Sequence, residues 1–526
     1  MRPILKLLLA ATMLAGWTNA QAGQAPGAAS AADVPISHHD RVYAAEQFSN
    51  TVSVTDPVDN KLLGVIRLGD PQPVNFSPLY KGQVLVHGMG FSPDHKTLAV
   101  VSIGSNSVSF IDTATNAVKH VSYVGRSPHE AFFTPDGKEV WVTVRGENYI
   151  SVLDAKNFTE KTRIVTPNGP GMQIFSPDGK YGYICSSFNP ETDVVSVADH
   201  KIVAKVKQES PFCPNIAATP DGKYGYICSS FNPESDVVTV ADHKIVARVK
   251  QESPFCPNIS ASPDGQQVWF TLKDVGKTQV FEARPPFNLI KTIDTGPITN
   301  HVNFARTAKG TFAYVTVGGT NEVKVFRTDD FSQVATIPVG NLPHGVWPSG
   351  DGSRIYVGLE NGDALAAIDT ATNAVISNIP IGQAPQAIAY VPNAAPDPDD
   401  RQNLQPLGVA GQVSHLALAA KGAQEGQAPT SVSLFDQGLI QVLQASVTGL
   451  EPKQKYVLAL ADHADGDGTL QPLAAFMTNP AGSAIVDATG PIRQIVHDSA
   501  TSDRRYLVIA PGDATTFGAA VQVQTR

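Results

Sequence analysis

FSPDGKYGYIC, at residues 175–185, is one of seven related segments in this chain of 526 residues. The other six begin at Phe91, Phe133, Ala218, Ala261, Ala305 and Val346, so successive copies lie 41 to 44 residues apart. In most copies a Pro-Asp-Gly-like turn separates two runs in which apolar residues alternate. Proline sets φ near the value that a turn needs, and Asp-Gly tolerates the positive φ of a tight hairpin. Each copy is therefore predicted to form a two-stranded hairpin.

Two further strands are predicted after each hairpin. A third alternating run follows, such as NSVSFID from Asn106 or NYISVLD from Asn148, and a fourth comes after a polar turn. The octapeptide IDTATNAV occurs identically at residues 111–118 and 368–375. Four short strands that recur about every 42 residues are typical of the blades of a β-propeller.

The two ends of the repeat region complement each other. The segment from Arg41 predicts three strands with no inner strand before them, whereas QAPQAIAYVP from Gln383 predicts an inner strand with nothing after it. Together they would form one blade, which closes the ring without free strand edges. Seven repeats and this composite blade predict an all-β, eight-bladed propeller.

Two neighbouring repeats are nearly identical. Residues 176–218 and 219–261 differ at only five positions, which indicates a recent tandem duplication of one blade. A seven-bladed ancestor is consistent with this duplication. A seven-bladed propeller is therefore the alternative architecture.

The repeat resembles that of the YVTN-repeat β-propeller family of exported bacterial proteins. Tyr314-Val315-Thr316 and the SPDG turns match the family's motif, and the resemblance extends over residues 41–394. It implies the propeller fold. It implies no single function, because propellers host unrelated activities.

The regions outside the repeats predict a leader, a linker and a second domain. Residues 1–22 carry Arg2 and Lys6 ahead of a short apolar run and a small-x-small site, which is typical of a signal peptide. The protein is therefore expected to be periplasmic or secreted, with no membrane-spanning stretch after cleavage and as a monomer. Residues 395–411, rich in Pro and Asp, predict a linker, and residues 412–526 a small β-sandwich-like domain.

Composition and motifs exclude some classes of function. A formal net charge of −9 argues against broad nucleic-acid binding, which needs a basic surface. The chain has no GxSxG, GxxxxGK or HExxH motif. The sequence does not decide whether the protein is an enzyme, and a small molecule or a protein is the expected partner.

All four cysteines lie in the duplicated blades, and an exported protein favours disulfides. Before the duplication, the single ancestral repeat would have held only two cysteines, 28 residues apart. These two cysteines could pair only with each other, within that repeat. The predicted disulfides are Cys185 with Cys213 and Cys228 with Cys256. A bridge between Cys213 and Cys228 is the alternative, because the intervening hairpin would bring their strands together.

Four histidines share one position of the repeat, seven residues before the hairpin Asp or its equivalent. They are His87, His129, His301 and His344. In a propeller this position begins the innermost strand, beside the central channel. Such imidazoles could ligate copper, zinc or iron, or act as acid or base near neutral pH. The alternative is that they only satisfy loop backbone groups or channel water.

Charged residues are predicted at the same face of the ring, just after an inner hairpin strand. They are Glu46, Arg145, Lys273 and Glu360. Arg145, with His129 and Glu130, could bind an anionic group in the funnel. Salt bridges between blades would explain the same residues.

Three functions are compatible with this pattern. The leading hypothesis is an exported binding or scaffold protein with a ligand or partner site in the central funnel. A metal- or haem-dependent periplasmic redox protein is the second, because eight blades with funnel histidines resemble the haem-binding propeller of cytochrome-type nitrite reductases. The c-type haem site is missing here.

A lactonase-like hydrolase is the third hypothesis, and resemblance to lactonase propellers would assign acid, base and anion-binding roles to Glu46, His129 and Arg145. The candidate cofactors are a transition metal or haem.

Overall fold

The computed structural model describes residues 23–24, 34–69, 85–424, 429–436, 440–499 and 502–525. The predicted signal peptide, residues 1–22, lies outside the described residues. Almost all regular structure in these ranges is β, and the exceptions are a short 3₁₀ helix at Gly408–Gly411 and a short π-helix at Gln494–Asp498. No helix among the described residues is long and apolar enough to cross a membrane.

Eight four-stranded antiparallel blades form a closed ring, in which each innermost strand contacts the innermost strands of both neighbouring blades. From innermost to outermost, the strands of blade 1 are Pro385–Val391, Arg41–Glu46, Thr51–Asp56 and Lys61–Arg67; of blade 2 Val86–Phe91, Thr97–Ser102, Ser107–Asp112 and Val118–Tyr123; of blade 3 Pro128–Phe133, Glu139–Val144, Tyr149–Asp154 and Glu160–Val165; and of blade 4 Pro170–Phe175, Tyr181–Ser186, Glu191–Ser196 and Ile202–Lys207. Those of blade 5 are Ile216–Ala218, Tyr224–Ile227, Glu234–Thr239 and Ile245–Lys250; of blade 6 Ile259–Ala261, Gln267–Leu272, Lys277–Glu282 and Leu289–Asp294; of blade 7 Thr299–Thr307, Gly310–Val317, Glu322–Arg327 and Gln333–Pro338; and of blade 8 Pro343–Pro348, Arg354–Leu359, Ala364–Asp369 and Ala374–Pro380. Gly23–Gln24 adds a short strand beside Val86–Phe91. The eight-bladed prediction is confirmed, and the seven-bladed alternative is not what the chain forms.

Blade 1 is the composite blade that the two ends of the repeat region predict. Ala44 pairs with Ile388 in an antiparallel ladder that joins the start of the propeller to its end. The buried carboxylate of Asp40 holds the junction together, because it accepts hydrogen bonds from the Tyr390 hydroxyl and from the Asn393 backbone N–H, the latter at 2.8 Å. The ring is therefore closed by side-chain contacts as well as by the ladder.

The SPDG hairpins form as their residues dictate. Ser176 donates its hydroxyl to Asp178 Oδ1 at 2.7 Å and accepts the Tyr181 N–H at 3.0 Å. Gly179 has a φ of 71°, a conformation that glycine adopts without steric cost. All these hairpins lie at one end of the ring, so the start of every innermost strand lies at the opposite end.

The propeller core consists of apolar layers between neighbouring blades. Strand residues alternate between the two faces of a blade: Val140 and Val142 pack toward blade 2, whereas Trp141 packs toward blade 4. The Trp141 ring lies 5.1 Å from that of Phe175, and its indole N–H donates to Glu139 Oε2. Burial of each large apolar side chain contributes about 1.5–3 kcal/mol. Period-two alternation thus gives each blade two apolar faces.

The two disulfides join Cys185 to Cys213 and Cys228 to Cys256, with Cα–Cα distances of 5.7 and 6.4 Å. Cys185 lies in the second strand of blade 4, Cys228 directly follows the second strand of blade 5, and each is linked to the loop that enters the next blade. The pairing predicted from the duplication is confirmed. The alternative bridge between Cys213 and Cys228 does not form.

Beyond the propeller, eight strands form one antiparallel sheet that curls into a near-barrel. In sheet order they are Leu470–Met477, Lys455–Ala461, Tyr506–Pro511, Gln522–Gln524, Val413–Ala420, Thr430–Asp436, Gln441–Val447 and Ala484–Gly490. The two edge strands are consecutive in the chain and approach each other, which nearly closes the sheet. Leu434, Leu443 and Leu458 belong to its apolar core. The second domain is thus all-β, as predicted, and its strands belong to a single curled sheet.

The near-barrel packs on the propeller face that carries the starts of the innermost strands. Phe435 stacks on Phe48 with ring centroids 4.4 Å apart, and His415 Nε2 lies 3.2 Å from Asp363 Oδ2. Further hydrogen bonds join Gln383 to Gln412, Asn361 to Ser433, and Asp274 to Ala481. The segment between the two units also follows the propeller, because Gln405 exchanges backbone hydrogen bonds of 2.8 Å with Val65.

Candidate ligand site in the propeller funnel

The four histidines that share one repeat position line the same cavity, of about 260 Å³, at the centre of the ring. His87, His129 and His344 are the second residues of their innermost strands, and His301 is the third residue of its strand. These strands belong to blades 2, 3, 7 and 8, on either side of blade 1. Because they start at one end of the ring, the imidazoles converge there.

The first histidine pair, His87 and His129, lies beside the carboxyl group of Glu130. The rings of His87 and His129 have centroids 4.8 Å apart, and Glu130 Oε1 lies 3.2 Å from His129 Nδ1. One ligating atom from each of His87, His129 and Glu130 lies within 4.8 Å of the other two. A Cβ on Gly88 would lie 2.6 Å from Glu130 Oε2, so only glycine leaves room for the carboxylate in this position.

The second histidine pair lies across blade 1 from the first. His301 and His344 have ring centroids 4.6 Å apart, and the Thr316 hydroxyl donates to the backbone oxygen of His344 at 2.9 Å. The Nδ1 atoms of His87, His301 and His344 are buried and have no hydrogen-bond partner among the described residues, whereas His129 Nδ1 faces the carboxyl of Glu130. Buried polar atoms are rarely left in this state, which favours a bound group in the cavity.

Burial controls the charges of these groups. Burial, and then the neighbouring His129, lowers the pKa of His87 to about 4, while burial and the Arg145 charge lower that of His129 to about 3. Burial also lowers the pKa of His301 and His344, and it raises the pKa of Glu130 to about 8. The four imidazoles are therefore neutral at pH 7, the form in which imidazole ligates a metal.

Two cationic side chains reach the cavity from opposite sides. Arg145 donates from Nε to Ser187 Oγ at 3.1 Å, and its guanidinium lies 5.2 Å from the ring centre of Phe212. Lys273 follows the second strand of blade 6 and lines the cavity beside the second histidine pair. Its ammonium makes no ion pair or hydrogen bond with any residue that the structure describes.

Two of the predicted funnel residues do not line the cavity. Glu46 is fully buried inside blade 1, where it accepts the Thr51 hydroxyl at 2.6 Å and the Ser53 N–H at 3.2 Å. Burial raises its pKa to about 8. Glu360 lies at the margin, where its Oε1 accepts the side-chain amide of Gln386 at 3.2 Å.

The wall opposite blade 1 comes from the duplicated repeats, residues 176–218 and 219–261. Phe212 and Pro214, together with their duplicates Phe255 and Pro257, line the cavity. The sequence alone could have predicted this wall. The segment ESPFCPN occurs twice, and its second proline, Pro214 or Pro257, occupies the repeat position that carries histidine in other copies. Gly88 carried no comparable signal, since its importance comes from a contact with the neighbouring blade.

Comparisons with known proteins support the propeller architecture. No protein-family profile and no curated protein sequence matches the chain. Among solved structures, the dihydro-heme d1 dehydrogenase NirN in complex with DHE is 16% identical, with a TM-score of 0.57 over 69% of this chain and 77% of that chain. Hydrazine synthase of Kuenenia stuttgartiensis is 21% identical, with a TM-score of 0.44 over 53% of this chain and 94% of that chain. At these identities the likeness to NirN extends to the β-propeller fold and no further.

Proposed function

We propose that this protein is an exported binding protein whose funnel holds a divalent transition-metal ion between His87, His129 and Glu130. The observation that carries the proposal is that ligating atoms of these three residues lie within 4.8 Å of one another in the central cavity. Two imidazoles and one carboxylate on one side of an ion form a common ligand set for such metals. The rest of the cavity would leave coordination positions open for a small ligand.

Unsatisfied polar atoms support an ion over a purely structural role. His87 Nδ1 and Glu130 Oε2 are buried without a hydrogen-bond partner among the described residues, and His129 Nδ1 has the Glu130 carboxyl beside it. Leaving a buried polar group unpaired costs about 1–3 kcal/mol. An ion would give these three side chains a shared partner, and its charge would favour the ionised form of Glu130. The disulfides and the predicted signal peptide support export.

A bound haem is the second candidate, because four neutral imidazoles face one funnel and the structurally similar NirN is in complex with DHE. The cavity volume of about 260 Å³ favours the smaller occupant, since sites for drug-sized ligands span roughly 300–1,000 Å³. The lactonase-like hypothesis gains no support, because Glu46 lies inside blade 1, away from the cavity.

Metal titration tests the proposal. Protein purified after export and stripped with EDTA is titrated with Zn²⁺ by calorimetry and with Co²⁺ by visible absorption. We expect one ion per chain, and a loss of affinity of about 100-fold or more for the His87→Ala/His129→Ala variant. His120→Ala, an exposed histidine on the outer strand of blade 2, is the matched control and should bind as the wild type does. Unchanged binding by the double variant would overturn the proposal, and a Soret band in the purified protein would favour haem.

A further inference from the structure

We infer that the opposite side of the funnel is a second binding subsite, formed by Lys273, His301 and His344, for a small monocarboxylate with an apolar body. The subsite extends the proposed function, since the anion would share the cavity with the metal ion. It rests on different residues and on different observations. It can therefore be tested in metal-free protein.

The ammonium of Lys273 is the first of these observations. Lys273 lines the same cavity as both imidazoles, and its charge contributes, after burial, to lowering the pKa of His301 and of His344. Within the described chain it forms neither an ion pair nor a hydrogen bond. The side chain is half-buried, and a cation that lines a cavity without an ion-pair partner among the described residues favours an anionic ligand.

The two imidazoles supply directional contacts. His301 and His344 are neutral because burial lowers their pKa, and a neutral imidazole carries one N–H donor. Their Nδ1 atoms are buried and unpartnered, and their rings lie 4.6 Å apart. The His301 N–H and the Lys273 ammonium suit the two oxygens of a carboxylate, and the His344 ring, which also contacts the Gln386 backbone, lies beside them.

The charges around the subsite favour a monoanion. Burial lowers the pKa of Lys273, and the negative charges of Glu360 and Asp274 oppose that shift. The charge of Glu360 likewise opposes the lowering of the His344 pKa by burial. Burial, and then the Glu360 charge, raises the pKa of Asp487 in the near-barrel. A phosphate dianion on this side of the cavity would meet the acidic margin with Lys273 to offset it, because Arg145 enters from the opposite side and is bonded to Ser187. A single negative charge is therefore the better match.

The neighbouring wall supplies the apolar part of the site. Phe255 and Pro257 precede the innermost strand of blade 6, in the same blade as Lys273, and both line the cavity. An alkyl group attached to the carboxylate would pack against this wall and lose contact with water. A cavity of about 260 Å³ has room for only a small molecule.

Titration of EDTA-treated protein with butyrate tests the subsite. We expect saturable binding of butyrate, weaker binding of acetate, and weaker binding of phosphate than of butyrate. The Lys273→Met variant should bind butyrate about 10- to 100-fold more weakly, as expected for loss of a charged hydrogen-bond donor. Lys273→Arg should restore part of the affinity, which a merely structural role of the side chain would not predict. Lys180→Met removes an exposed lysine of a hairpin turn and serves as the matched control.

The outcomes separate this subsite from the metal site. Absence of saturable butyrate binding to the wild type, or equal binding by Lys273→Met and the wild type, would overturn the subsite. Tighter binding of phosphate than of butyrate would show that the assignment to a monocarboxylate is wrong. Because the titration uses metal-free protein, failure of the Zn²⁺ titration has no bearing on it.

Discussion

Glu46 shows how a single side chain couples the two ends of the chain. Its carboxyl lies inside the composite blade and is bonded by Thr51 and Ser53. A Cβ on Gly382 would lie 2.8 Å from Glu46 Oε2, so the chain that returns to close the ring packs directly against it. This enclosure removes the carboxyl from water and raises its pKa from 4.5 to about 8.

The titration of Glu46 makes the stability of the propeller depend on pH. The folded protein keeps Glu46 protonated to a higher pH than the unfolded chain does. The contribution of Glu46 to the free energy of unfolding is therefore complete below pH about 4.5 and is lost as the pH rises through about 8. We expect wild-type protein to lose on the order of 4 kcal/mol of unfolding free energy between pH 5 and pH 9 from this group. Glu46→Gln should remove most of that loss, as measured by urea denaturation at both pH values.

Glu147→Gln is the control, because Glu147 is paired with Arg126 and its pKa is lowered. Its pH dependence between 5 and 9 should match that of the wild type. A Glu46→Gln variant with the full wild-type loss would show that Glu46 is ionised in the folded protein at neutral pH.

At this scale the sequence was informative where a residue's place follows from the repeat. The convergence of His129 and His344 follows from their equivalent positions in different copies, because equivalent strand positions face the same channel. The enclosure of Glu46 had no such basis, since it depends on Gly382, more than 300 residues away in the chain. Long-range contacts of this kind are set by the folded ring and carry no local pattern.

At the scale of the element, the duplicated blades are the distinctive part of the ring. The innermost strands that end the duplicated repeats 176–218 and 219–261 are short, with three residues in Ile216–Ala218 and three in Ile259–Ala261, where most blades have six or more. Short innermost strands make fewer ladder hydrogen bonds. The disulfides bind the loop before each short strand to the preceding blade, which offsets part of this loss.

Removal of either disulfide should destabilise the propeller by a similar amount. Each bridge closes a loop with a sequence separation of 28 residues, for which the chain-entropy estimate is about 3–4 kcal/mol. We expect Cys185→Ser/Cys213→Ser and Cys228→Ser/Cys256→Ser to lower the thermal midpoint equally. Calorimetry of both variants beside the wild type measures this. A large difference between the two would mean that local packing, and not loop closure, determines the contribution.

The elements also show which predictions a repeat can support. Tandem duplication allowed the correct disulfide pairing to be predicted, because the ancestral unit held only Cys185 and Cys213 or their equivalents. The near-barrel offered no repeat to compare. Alternating runs such as that at Lys455–Ala461 predicted strands, but whether those strands formed one sheet or two depends on pairings between distant segments.

At the scale of the whole molecule, the near-barrel is a fixed part of the funnel face. In strand Thr430–Asp436, the side chain of Leu434 points into the apolar core of the near-barrel, whereas that of Phe435 points away from it. Phe435 is nevertheless fully buried, because the propeller covers it and Phe48 stacks on its ring. Ser433, on the same outward face, donates to the backbone oxygen of Asn361 at 3.2 Å. This face of the strand is therefore built for contact with the propeller.

Phe435→Ala should loosen this contact without unfolding either unit, because the side chain belongs to the interface and to neither core. Truncation of a buried aromatic anchor at an interface typically costs 2 kcal/mol or more. We expect faster hydrogen exchange in the loop around residues 360–363 and in residues 430–436, as measured by mass spectrometry. The core strand Lys455–Ala461 should exchange as in the wild type. Met477→Ala, which truncates an exposed apolar side chain of the near-barrel, is the control. Unchanged exchange at residues 360–363 in Phe435→Ala would show that the polar contacts suffice to hold the near-barrel on the funnel face.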